Sequence, residues 1–122
     1  MATVNDVYKI AKDLMFDKPS SKIYDDFVIG HVNRLLIELF EENNIDRVFH
    51  DKTRLSQPQA VSNFSDVLTY EDNIVLNILP LGLAALFEID DDLNKYTILF
   101  TMYNNARVTN QKLVGRSRLD AS

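Results

Sequence analysis

Residues 21–43 read SKIYDDFVIGHVNRLLIELFEEN, and this stretch decides the fold class. Tyr24, Phe27, Val28, His31, Val32, Leu35, Leu36, Leu39 and Phe40 recur at steps of three and four residues and make one wide apolar face. Lys22, Asp25, Asp26, Asn33, Arg34, Glu38, Glu41 and Glu42 fall largely outside it. This is the period of an amphipathic helix, not the strict alternation of a half-buried strand. Gly30 lies inside the pattern, at a cost of about 1 kcal/mol relative to Ala. A close helix–helix crossing would explain it. Asn43 and Asn44 suit the exit turn.

The same period extends outward on both sides. Upstream, Val4, Val7, Tyr8, Ala11, Leu14 and Met15 form a stripe with Thr3 as N-cap and Asp6 in the first turn, and Pro19 with two serines ends it. Downstream, a third helix runs from Tyr70 to about Ile89, with Thr69 as cap and Glu71 and Asp72 in its first turn. Pro80 lies well inside it. A proline there removes the bond to the Leu76 carbonyl and clashes with that turn, so a kink is expected, with Gly82 adding slack. Beyond it, Leu81 to Phe87 is apolar nearly all round and must be covered on several sides, by its own domain or by another subunit. A fourth helix starts at Asp90-Asp91-Asp92 and runs to about Asn110, burying Leu93, Tyr96, Leu99, Phe100, Tyr103 and Ala106. The short link before it makes the last two helices antiparallel neighbours.

The expectation is therefore an all-α chain, a four-helix bundle with a kinked third helix. Between helices 2 and 3, residues 45–69 lose the helical period and take on the texture of a loop around Pro58. Val48, Phe49, Leu55, Val61, Phe64 and Leu68 argue against disorder there, and a short hairpin would fit. Residues 1–110 read as the helical domain, and 111–122 as an extended basic C-terminal tail.

Composition narrows the function. The 122 residues carry a net charge of −5 and no Cys, so neither a disulfide framework nor a thiolate metal site is available. The start of the chain lacks the pattern of a signal peptide, and no run approaches the roughly 18 apolar residues of a membrane span. Arg107, Lys112, Arg116 and Arg118 oppose only Asp120 in the last stretch, which leaves the body strongly acidic. Such a body does not wrap a phosphate backbone tightly. There is no GxGxxG, GxxxxGK[ST], GxSxG or HExxH pattern. His31 and His50 have no partner at metal spacing, and His31 lies on an apolar face, where packing is its expected role. Glu88 and Asp90–Asp92 lack the central Gly and closing Glu of an EF-hand and read as carboxylates at a helix N-terminus. No cofactor, metal or catalytic residue is expected, and the chain reads as a binding or structural module, not an enzyme.

Two stretches carry a more specific pattern. Val32-Asn33-Arg34-Leu35-Leu36-Ile37-Glu38-Leu39-Phe40-Glu41-Glu42-Asn43-Asn44 is followed by Leu79-Pro80-Leu81-Gly82-Leu83-Ala84-Ala85, then Asp90-Asp91-Asp92, then Tyr103-Asn104-Asn105-Ala106-Arg107. This order resembles head–tail connector (adaptor) proteins of tailed bacteriophages, over roughly residues 3–108. The resemblance implies a virion neck protein made in the host cytoplasm. It would form a homo-oligomeric ring, commonly of twelve subunits, between the portal protein and a stopper or tail-completion protein. The ring would extend the channel through which DNA passes without specific binding. It also implies that the C-terminal segment docks on the portal, which singles out Arg116, Arg118 and Leu119. Glu38, Glu41, Glu42, Asp90, Asp91 and Asp92 become candidates for channel-facing charge, because like charge keeps DNA from adhering. The rival readings are another neck component, disfavoured because those tend to be β-rich, and a small helical regulatory protein that would be a monomer or dimer.

Overall fold

A computed structural model describes residues 1–18 and 20–121 of the chain, with side chains described as far as Leu113. Among the described residues the chain is all-helical, with five helices and no strand. They are α1 (Val4–Leu14), α2 (Asp25–Glu38), α3 (Phe40–Phe49), α4 (Leu79–Glu88) and α5 (Leu93–Ala121), with a π-helical turn at Ile74–Ile78 leading into α4. No helix is long and apolar enough to cross a membrane among the described residues.

Helix α1 begins as expected. The Thr3 hydroxyl accepts the Asp6 amide and the Asp6 carboxylate accepts the Thr3 amide, a reciprocal capping box. Its end differs. The helix stops before the proline, because Phe16 adopts a left-handed conformation at φ 58°. The Phe16 amide then donates to Asp13 and the Asp17 amide to Lys12, the paired bonds of a Schellman motif. Helix α3 ends the same way, with Asp51 at φ 61°.

The single helix expected over residues 21–43 is two helices. The backbone bends at Leu39 (φ −92°, ψ 5°) and continues as α3 to Phe49. Asn43 and Asn44 do not form an exit turn. They are buried inside α3, together with Glu42 and Asp46. Gly30, in α2, faces open space, so no close crossing explains it. The close approach is at Gly82, where a Cβ would lie 2.9 Å from Leu35 Cδ2 and 2.9 Å from Tyr103 Cε1.

Pro80 is accommodated by the π turn on its N-terminal side. The Leu79 amide bonds to the Ile74 carbonyl, five residues back, and the widened turn relieves the proline's conflict with the preceding carbonyls. Helix α4 is buried on almost every side, packed against α1, α2 and α5. Most of its apolar surface is thus covered within the chain, and Leu86 and Ile89 stay open to a groove between α2, α4 and α5. Helix α5 starts where Asp92 Oδ1 accepts the Lys95 amide at 3.1 Å. It runs to Ala121, well past the residue-110 boundary at which an extended tail was expected. Residues 111–121 contain no proline, and Gln111, Lys112, Leu113, Arg116, Arg118 and Leu119 are good helix formers, which outweigh the single Gly115.

The segment between α3 and the π turn forms no hairpin. It is ordered instead by side chains from α2 and α3, by backbone bonds to the N-terminus and by bonds of its own Gln59 and Asp66. Asn33 clamps Val61, accepting its amide at 2.8 Å and donating to its carbonyl at 3.0 Å. Asn44 clamps Leu55 in the same way, at 2.8 and 3.1 Å. One isolated antiparallel bridge pairs Thr3 with Val67, and the Leu68 amide donates to Ala2. Val61 and Leu68 join the core.

Candidate functional site

The apolar stripe of α2 steps through Val32, Leu36 and Leu39, and the same spacing reaches Asn43 and Asp46 in α3. Polar groups on a buried stripe need partners, and α5 together with the π turn supplies them. Arg107 donates to Glu42 through Nε at 2.9 Å and again through a guanidinium nitrogen, and to Glu38 at 2.8 Å. Its planar donor fork suits two carboxylates at once. The Tyr103 hydroxyl also donates to Glu38, at 2.8 Å. One turn further along α5, Asn110 donates to Asp46 at 3.0 Å and accepts from Asn73. Burial pushes the Asp46 carboxyl above the ordinary carboxylate range, an effect the Asn110 bond only partly offsets. Glu71 closes the network, accepting from His50 at 3.0 Å and Lys52 at 2.9 Å, while its amide donates to Asn43 at 2.7 Å. Burial raises the Glu71 carboxyl, but the bonds from Lys52 and His50 outweigh it and hold the group below its usual value. The whole arrangement ties α5 to α2, α3 and the π turn.

Beside this network lies a groove of about 600 Å³ between α2, the C-terminal half of α4 and α5. Its walls are aromatic. Tyr24 stacks on Phe87 with centroids 4.6 Å apart and planes 14° apart, and Tyr96 stacks on Phe100 at 5.5 Å. His31 lies between Phe27 and Phe87, at 6.2 and 5.6 Å. Burial, with Arg34 nearby, lowers the His31 pKa and favours its neutral form. The Tyr24 hydroxyl donates to Asp91 at 2.5 Å, and burial with this bond pushes its pKa up, so the ring stays neutral. Arg34, Glu38, Asp90 and Asp91 border the groove. Neutral aromatic walls with charged lips suit an apolar or aromatic side chain presented by a macromolecule.

The acidic residues singled out from the sequence fall into two sets. Glu38 and Glu42 are brought together by Arg107, and Glu42 is taken inside, its side chain only 8% exposed. Glu41 is exposed and pairs with Arg54. Asp92 caps α5, Asp91 holds Tyr24, and Asp90 is exposed at the groove. Arg116, Arg118 and Leu119 lie on the last turns of α5, and their side chains lie outside the described residues. Among the described residues no group of three or more His, Asp or Glu is placed to hold a metal ion.

Sequence reasoning missed Asn33, Asn43, Asn44, Asp46 and Asn110 as structural anchors. The available signal was the continuation of the Val32–Leu36–Leu39 spacing into Asn43 and Asp46, where polar side chains occupy positions that periodicity assigns to the interior. Comparisons of the chain with protein-family models, with curated proteins and with solved structures find no match.

Proposed function

We propose that this chain is a structural head–tail connector of a tailed bacteriophage. It would be a virion neck protein, made in the host cytoplasm, that forms a ring between the portal protein and a stopper or tail-completion protein and extends the DNA exit channel. The ring is homo-oligomeric, twelve subunits being the expected number, and uses no cofactor. One observation carries the reading. The separate stretches that resemble the connector family are a single assembly in space. Asn33, Asn43 and Asn44 hold the loop and the start of the π turn, Glu38 and Glu42 bind Arg107, and Gly82 gives room to Leu35 and Tyr103. A pattern whose members depend on one another is stronger support than the same residues scattered over independent surfaces.

The acidic composition also supports a channel-wall role. Under this reading Glu42 drops out as channel-facing charge, because Arg107 neutralises it inside the chain, and the exposed Glu41 shares its charge with Arg54. Arg116, Arg118 and Leu119, on the last turns of α5, are the residues proposed to dock on the portal. Truncation after Lys112 is expected to abolish co-sedimentation with portal rings while leaving most helicity intact by circular dichroism. Undiminished portal binding by the truncated chain would refute the docking role of this segment.

The aromatic groove favours a second reading, a small helical regulatory protein that receives one helix of a partner. That reading predicts a monomer or dimer at all concentrations and no association with portal rings.

A further inference from the structure

Phe16 is the most exposed aromatic residue among those described, at 91%, and it makes no ring contact with any of them. It also occupies the left-handed position of a Schellman motif, at φ 58°. Glycine adopts that conformation freely, whereas an L side chain is strained there. Neither packing nor backbone geometry within the chain accounts for a phenylalanine at this place. A strained backbone that holds a large apolar group out in solvent is the shape of a docking element.

The chain carries a matching receptor. The groove between α2, α4 and α5 is walled by aromatic rings and is far larger than a phenyl group. Between the charged residues of its rim, Phe27, Ile89 and Phe100 are exposed apolar side chains that would extend a contact around an inserted ring. Charge fits as well. Arg34, on the groove, has no ion pair among the described residues, and Asp13, one turn before Phe16, is exposed and equally unpaired. Lys18, two residues after Phe16, is exposed, as is Asp90 on the groove's border.

We propose that Phe16 of one copy inserts into the aromatic groove of a second copy, with Asp13 facing Arg34 and Lys18 facing Asp90. Knob and groove are different patches of the same surface, so copies that do not exchange them reciprocally join head-to-tail, and such contacts close into rings when the rotation between copies allows it. The proposal rests on the self-assembling reading given above and names the surface that performs it.

The chain has no native Cys, so introduced thiols report one contact each. Full-length Asp13→Cys and Arg34→Cys chains, mixed in equal amounts on portal rings and treated with a short bismaleimide, are expected to give a linked dimer. Either variant alone should give at least tenfold less. Adding Phe16→Gly to the Asp13→Cys chain should remove the link while raising the Tm, because glycine relieves the backbone strain, so the loss is not unfolding. The proposal is overturned if portal-bound oligomers form but the mixed link does not appear, or if it persists without Phe16; in both cases self-assembly stands and only the interface is wrong. A chain that is monomeric under every condition, with no link, overturns the self-assembling reading and the interface together.

Discussion

Two glycines within helices are predicted to respond oppositely to the same substitution. At Gly30 an added Cβ meets nothing within 4 Å. Gly30→Ala therefore gains only the helix-propensity difference, about 0.8–1.0 kcal/mol of stabilisation. At Gly82 the same methyl lies 2.9 Å from Leu35 Cδ2 and from Tyr103 Cε1, with Tyr103 Cδ1 at 3.2 Å. The leucine methyl can rotate away. The tyrosine ring cannot move easily, because its hydroxyl is held by Glu38 at 2.8 Å and Arg107 packs over its face at 5.3 Å. Overpacking of this kind costs about 1–3 kcal/mol, which outweighs the propensity gain. Gly82→Ala should be destabilised by about 1 kcal/mol, separating the two variants by about 2 kcal/mol. For a chain of this size that is roughly 8 °C in Tm. Urea titration followed by circular dichroism measures both free energies, with equal m-values as the check that unfolding stays two-state. The packing argument is refuted if Gly82→Ala is as stable as Gly30→Ala.

Three further outcomes follow from the polar anchors and the groove. Arg107→Met leaves the Glu42 carboxylate, 8% exposed, without its partner. It should cost about 2–3 kcal/mol, less than the ~3–5 kcal/mol of a fully buried pair, since the Arg107 side chain keeps solvent contact; adding Glu42→Gln should recover at least half, and a double variant no better than the single one would contradict the pairing. Asn44→Ala removes both bonds to Leu55, about 1 kcal/mol each. It should raise amide exchange and proteolytic cleavage across residues 50–69 selectively, whereas unchanged protection there would show that the clamp is dispensable. His31 has a pKa lowered by burial and by Arg34. The unfolded chain therefore takes up the proton first, and stability should fall as pH drops below the ordinary value near 6.5. His31→Gln should flatten that part of the pH–stability curve, and an unaltered curve would exclude His31 as its source.

How much was legible in the sequence depended on whether the determinant was local. The all-α class followed from apolar residues at steps of three and four, and the interior positions Val4, Val7, Tyr8, Val32, Leu35 and Leu36 sit where that spacing placed them. Thr3 caps its helix, and α4 is covered on most sides, as its nearly all-round apolarity required. What failed was non-local. Asn43 and Asn44 look like a polar exit turn until Glu71 and Leu55 satisfy them, as Asn110 satisfies Asp46, and only then does α3 make sense. The loop that follows has no period because much of its order comes from distant partners, two asparagine clamps and backbone bonds to residues 2–5, and not from a hairpin of its own. Gly30 and Gly82 are indistinguishable as letters, and only the packing of α2 and α5 around α4 shows which one the fold needs. Phe16 carries no local mark of a left-handed turn, since that position ordinarily signals itself by glycine. The groove joins residues 24–38, 82–91 and 96–103, which no local pattern links.

The most direct test of the connector reading is the mass and negative-stain image of the purified full-length chain mixed with portal rings from its own source. The account predicts a ring of many copies, twelve being the expected number, stacked coaxially on the portal. A folded, helical chain that stays monomeric or dimeric and leaves the portal bare would contradict it and favour the small interaction protein instead.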